Sequence, residues 1–158
     1  MILCFGIIAL SIILDQITKI IAVQGLAPAG SVVVIPKILN FTYVENRGAA
    51  FGMLSDHRWV FMVISCVAIV ALGAYLIIKK PRSYLERISL ALIVGGGIGN
   101  MIDRFRLGYV VDFIDATFVD FYVFNVADSA VCVGCGLLIL YLILTEIRER
   151  REKSTPKT

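Results

Sequence analysis

The sequence predicts an all-α membrane protein of four transmembrane helices, with a small extracytoplasmic β segment and a short outer helix or loop. Three observations predict it. Of 158 residues, 59% are hydrophobic, and the mean hydropathy is +0.89, which is more apolar surface than a soluble core of this size can hide. The run from Trp59 to Ile78 contains no charge and has the length, about 20 residues, that crosses a hydrocarbon layer. Lysine and arginine gather in two segments, Lys79 to Arg87 and Arg148 onward, an asymmetry typical of cytoplasmic loops.

Residues 2–23 form the first span, interrupted by Asp15 and Lys19. Ala22, Ala27 and Ala29 follow its apolar run as they would in a cleaved secretory signal. No basic residue precedes that run, however, and Asp15 sits near its centre, which favours a retained span. Residues 31–44 (SVVVIPKILNFTYV) are β-branched and aromatic, with Pro36 dividing them, the pattern of a small outer sheet or hairpin. The following ENRGAAFG, Glu45 to Gly52, mixes polar and small residues and is expected to return the chain to the membrane surface; a plain loop is the simpler alternative.

Residues 59–78 are the second span. The third, 88–105, is uncharged as far as Ile102 and reaches full length only by including Asp103 and Arg104. Its Gly95, Gly96, Gly97 and Gly99 follow an apolar helix and not a strand, so they indicate close helix packing and not a phosphate loop. The fourth span, 122–145, holds a single charge, Asp128. Residues 148–158 form a charged, solvated tail. With no internal repeat or low-complexity stretch, residues 1–158 read as one membrane domain.

Between the second and third spans lie Lys79, Lys80, Arg82 and Arg87, and beyond the fourth lie Arg148, Arg150, Arg151, Lys153 and Lys157, nine of the fifteen basic residues. Both segments are therefore expected in the cytoplasm, with both termini inside and residues 25–58 and 106–120 outside. The net charge of +3 then reflects topology and contact with anionic membrane lipid, not nucleic acid. Cys4, Cys66, Cys132 and Cys135 all fall in spans, where they read as small packing residues despite the C-x-x-C spacing of the last two. His57 is the single histidine, so no metal site and no cofactor is expected.

The topology also places acids. At about 1.5 Å of rise per residue, Asp15 and Asp103 come about 20 Å along their helices and Asp128 about 10 Å down from the outer start of the fourth, so three carboxylates share one layer, with Asp112 just outside it. A charge in hydrocarbon costs at least about 2.5 kcal/mol, so such acids are paired, protonated or in contact with water. Asp15 lies one turn from Lys19, and Asp103 adjoins Arg104, so each has a local cation. Asp112 and Asp128 have none. Two close carboxyls share a proton, one acting as base while the other acts as acid, which is the arrangement of an aspartic protease. Asn100, Asn125 and Arg104 could hold the acids or bind substrate backbone. Ion-pair architecture, a proton path in a small proton-coupled transporter or scaffold, and a serine-lysine peptidase using Ser129 and Lys19 remain open on these grounds.

At these residues the chain resembles lipoprotein signal peptidase, the bacterial type II signal peptidase. The resemblance rests on LDQITK (Leu14 to Lys19), ENRGAAFG (Glu45 to Gly52), GNMIDRFRLGYVVDF (Gly99 to Phe113) and FNVADSAVCVG (Phe124 to Gly134), which together run from the first span to the last. It implies an aspartic endopeptidase of the bacterial cytoplasmic membrane. Such an enzyme cleaves prolipoproteins on the amino side of a diacylglyceryl-modified cysteine, toward the outer leaflet. It implies Asp112 and Asp128 as the catalytic pair, Asn46, Gly48, Asn100, Arg104 and Asn125 as substrate-binding or dyad-supporting residues, and Asp15 and Asp103 as supporting acids. Residues 31–44 match a β-cradle lying on the membrane, and the inhibitors globomycin and myxovirescin are expected at the dyad. Burial alone would nominate Asp103 as readily as Asp112; the resemblance and the adjacency of Arg104 favour Asp112.

Overall fold

The computed structural model describes residues 1–48 and 58–154. Ala49 to Gly52, the second half of the segment expected to return the chain to the membrane, and His57 lie outside the described residues, as does Lys157 of the tail.

Four helices, α1 (Ile2–Gly25), α2 (Arg58–Lys79), α3 (Tyr84–Arg106) and α4 (Val126–Ser154), are all long and apolar enough to cross a membrane. A helix satisfies its own backbone hydrogen bonds, so side chains are free to face lipid. Ile13, Ile17, Val63, Val67, Ile139 and Ile143 do so on α1, α2 and α4, each about half exposed or more. Cys66, Cys132 and Cys135 lie on these exposed faces, and all four cysteines are free thiols.

The third helix is different: more than half of its span is buried, because α1, α2 and α4 all pack on it. Its glycines make that approach possible. A Cβ on Gly95 would stand 2.9 Å from Ser11 Cβ and 3.2 Å from the Ile8 Cα; one on Gly96 would overlap the Ala127 carbonyl; and one on Gly99 would come 2.6 Å from an Asp15 carboxylate oxygen. Small residues thus let α1 and α4 reach the α3 backbone and bring their polar groups with them. At its other end, α3 begins at the N-cap Ser83, and its buried Glu86 accepts a 2.7 Å hydrogen bond from the Tyr75 hydroxyl on α2.

Strands β1 (Ser31–Ile35), β2 (Leu39–Asn46) and β3 (Val110–Asp115) form an antiparallel sheet in that order. The β1–β2 hairpin turns at Lys37, whose φ of 62° is left-handed. The outer segment between α3 and α4 supplies β3. Its Tyr-Val-Val-Asp-Phe-Ile run carries the β-branched and aromatic composition that favours a strand. Gly108, at φ 81°, turns the chain from α3 into β3. The sheet therefore sits where α1 and α3 end and α4 begins. A two-way backbone bridge, Ile114 N–H to Phe124 O at 2.7 Å and Phe124 N–H to Ile114 O at 3.0 Å, ties β3 to the residue pair that opens α4.

Candidate active site

That bridge places Asn125 beside β3 and starts α4 there. Asn125 and Asp128 form a reciprocal cap: Asn125 Oδ1 accepts the Asp128 N–H at 2.9 Å, and Asp128 Oδ2 accepts the Asn125 N–H at 3.2 Å. A carboxylate at the third helical position also meets the positive end of the helix dipole. The cap thus fixes Asp128 Oδ2, leaving Oδ1 to accept from Asn100 Nδ2 at 2.7 Å.

Asp112 enters from β3 and is 2% exposed. Its neighbours follow from strand register. Asn46 of β2 lies opposite Val110, two residues from Asp112 and so on the same face, and donates to Asp112 Oδ2 at 2.9 Å. Asn125 Nδ2 donates to Asp112 Oδ1 at 2.6 Å, and also lies 3.0 Å from Asn100 Oδ1. One asparagine therefore touches both acids, by side chain to Asp112 and by backbone to Asp128. Burial pushes the Asp112 carboxyl up to about 6; the Asn46 hydrogen bond opposes this, the charge of Asp128 adds to it, and the Asn125 bond opposes it again.

The other two aspartates are held differently. Lys19 Nζ lies 2.9 Å from Asp15 Oδ2 and 3.0 Å from Asp103 Oδ2, and donates its remaining bond to Asn100 Oδ1 at 2.8 Å. Asp15 Oδ1 accepts the Ala127 N–H at 3.0 Å, and Asp103 Oδ2 accepts the Val111 N–H at 3.1 Å, so these acids brace α4 and β3. Gln16 Nε2 joins them, 3.2 Å from Asp15 Oδ2 and 3.0 Å from Asp103 Oδ1. The pairing of Asp103 with Arg104 expected from adjacency is thereby corrected. Consecutive helical residues point about 100° apart, so Asp103 turns inward to Lys19. Arg104 instead lines a small pocket with Asn46, Arg47, Gly48, Met62, Gly108 and Tyr109, within electrostatic reach of Asp128, Asp112 and Asp103.

All nine residues singled out from the sequence converge on this end of the bundle. Gly48 N–H donates to Asn46 Oδ1 at 3.1 Å, closing a turn that aims the Asn46 amide at Asp112. Arg47, paired with Glu45 at 2.9 Å, covers the Tyr109 ring. Sequence reasoning missed Gln16 and the sharing of Lys19 by two acids. The N-x-x-D spacing of Asn125 and Asp128 is a capping signature and could have fixed the start of α4. The serine-lysine alternative fails on geometry: Ser129 Oγ donates to the Asn125 carbonyl at 3.0 Å, while every donor of Lys19 is taken. Among the described residues, no group of histidine, cysteine, aspartate and glutamate side chains could hold a metal ion.

Comparison with known proteins points the same way. The sequence pattern of the family described as signal peptidase (SPase) II matches residues 7–144. A lipoprotein signal peptidase of Caldanaerobacter subterraneus subsp. tengcongensis is 51% identical over 138 residues, covering 87% of this chain and 93% of the relative. One from Clostridioides difficile is 40% identical over 144 residues, covering 91% and 97%. A solved bacterial membrane enzyme superposes with a TM-score of 0.83 at 33% identity, covering 98% of this chain and 93% of the other. Sequence and fold agree over nearly the whole length, and the chain belongs to the signal peptidase II family, the membrane proteases that process prolipoproteins.

Proposed function

We propose that this chain cleaves diacylglyceryl-modified prolipoproteins on the amino side of the lipidated cysteine, with Asp112 and Asp128 as the catalytic pair. The observation that carries this reading is the contrast in bonding: both oxygens of each acid accept from asparagine amides or backbone, and among the described residues neither forms an ion pair. An ammonium would hold both acids ionised. Amides leave room for one proton between them, and the raised Asp112 carboxyl is the better place for it.

Asp128 then takes a proton from water as the oxygen attacks the scissile carbonyl, while Asp112 gives its proton to the carbonyl oxygen. When the tetrahedral intermediate collapses, its hydroxyl proton returns to Asp112 and the C–N bond breaks. Asp128 passes its proton to the departing cysteine nitrogen. One water is consumed, the signal peptide gains a carboxylate, and the dyad returns to its starting state. Asn46, Asn100 and Asn125 hold the acids, and Arg104 and Gly48 border the space in which substrate backbone is bound. Globomycin and myxovirescin occupy the same space, and membrane lipid surrounds the bundle.

The basic residues before α3 and on α4 favour cytoplasmic termini, which puts the sheet and the dyad at the outer leaflet. A reporter after Lys80 should read cytoplasmic and one at Lys37 outside. The deciding assay uses purified chain and a prolipoprotein peptide with and without the diacylglyceryl group. Cleavage of the lipidated peptide alone, blocked by globomycin, is expected. Equal cleavage of both peptides would remove the lipid from the specificity.

A further inference from the structure

We propose that Lys19 is a positioning residue of the dyad, acting through Asn100. The inference rests on the dyad reading above. An ammonium has donors and no acceptor, so the Asn100 atom 2.8 Å from Lys19 Nζ is the amide oxygen. That choice leaves Nδ2 as the atom facing Asp128 Oδ1 at 2.7 Å, a donor on an acceptor. The same oxygen receives Asn125 Nδ2, whose amide also reaches Asp112 Oδ1. The Asn125 amide is already oriented by the Asp128 N–H on its Oδ1, so the buried cation on α1 acts on the Asn100 amide, holding its oxygen inward and its Nδ2 donor on Asp128.

Without the ammonium, the Asn100 amide can turn over and present its oxygen to Asp128. An oxygen there favours a protonated Asp128 and removes the base. The geometry of Lys19 suits this task more than simple neutralisation. Two carboxylates already take up two of its three donors, and the third is spent on an uncharged amide that neutralisation does not require. The charged and titratable groups facing the site are Asp15 and Lys19 from α1, Asp103 and Arg104 from α3, Asp112 from β3 and Asp128 from α4. Removing the one ammonium among them raises the proton affinity of Asp112, which the Lys19 charge lowers.

The test uses the full chain in detergent and a lipidated prolipoprotein peptide. Lys19→Met/Asp103→Asn, which keeps the net charge of the native cluster, is compared with the native chain and with Asp103→Asn, which carries one more positive charge. Both variants are repeated with Asn100→Ala. Adding Lys19→Met should lower kcat about 10²-fold, a loss typical of misplaced catalytic groups, leave KM within about threefold, and move the pH profile to higher pH. On the Asn100→Ala background the same addition should cost less than about threefold, because the two changes break one linkage. An unchanged kcat, or a full loss that persists without Asn100, overturns the inference. If the paired variant does not accumulate, Lys19→Arg decides: native stability with reduced kcat supports the assignment, and native kcat overturns it. Turnover by Asp112→Asn or Asp128→Asn within about tenfold of native would instead sink the dyad itself.

Discussion

Two pairs of aspartates lie side by side in this bundle and are bonded in opposite ways. Asp15 and Asp103 share an ammonium, and their remaining capacity goes to Gln16 and to the backbone of Ala127 and Val111. Asp112 and Asp128 share asparagines. A buried ammonium between the first pair ties both carboxylates in place. Neutral amides fix position while leaving a proton free to move. The difference teaches that residue type identifies an acid, whereas the partner of that acid decides whether it is locked in an ion pair or held by neutral donors.

The most severe way to break the comparison is to neutralise the amide-bound pair. Asp112→Asn and Asp128→Asn should each reduce cleavage by about 10³-fold or more, since each removes the acid or the base, while the protein still inserts and accumulates. Turnover by either within about tenfold of native, in protein free of native enzyme, would falsify the assignment.

The ammonium-bound pair should respond in stability. Asp103→Asn removes one of the two counter-charges of Lys19 and weakens the bracing of β3. A loss of about 2 kcal/mol is expected, read as a lowered Tm in detergent, with activity falling alongside. Native Tm together with lost activity would place Asp103 in the catalytic pair and erase the distinction.

The same measurement sharpens the contrast on Asp112. Its carboxyl binds a proton more tightly in the folded protein, near 6, than in an unfolded chain, near 3.8. Ionisation therefore opposes folding fully above about pH 6, and the opposition disappears below about pH 4. Asp112→Asn should accordingly raise stability at neutral pH, by at most about 3 kcal/mol, with the gain fading as pH falls from 6 to 4. Thermal unfolding across that range reads it, and destabilisation at neutral pH would contradict the burial argument.

The smallest expected effect is none. Replacing Cys4, Cys66, Cys132 and Cys135 by alanine or serine touches neither pair, and kcat should stay within about twofold, as it should with a chelator present. Activity lost to chelation and restored by zinc would require a metal at the dyad.

Much of this was legible from residues alone. The uncharged run 59–78 and the basic flanks define spans, because no soluble fold needs so long an apolar stretch. Asp15, Asp103 and Asp128 stood out because charged groups in an apolar segment demand a reason, whereas Asn46 and Gly48, outside the spans, were marked only by the family resemblance. The glycines of α3 were legible as packing residues, though not which neighbour each admits. Less legible was β3, whose composition favours a strand but whose partner, β2, lies over sixty residues away. A short strand has no meaning until its neighbour is known.

The sequence by itself determined the four membrane-crossing helices, the end of the bundle where the acids gather, and the identity of the groups available for chemistry, since these depend on local composition and on 1.5 Å of rise per residue. Only the tertiary structure decided which acid meets which partner. Arg104 is next to Asp103 in the chain, yet Lys19, 84 residues away, is the cation that Asp103 binds, because consecutive helical side chains diverge while side chains from packed helices converge. Pairing is a property of packing, and in this site it separates the acids held by an ammonium from those held by asparagine amides.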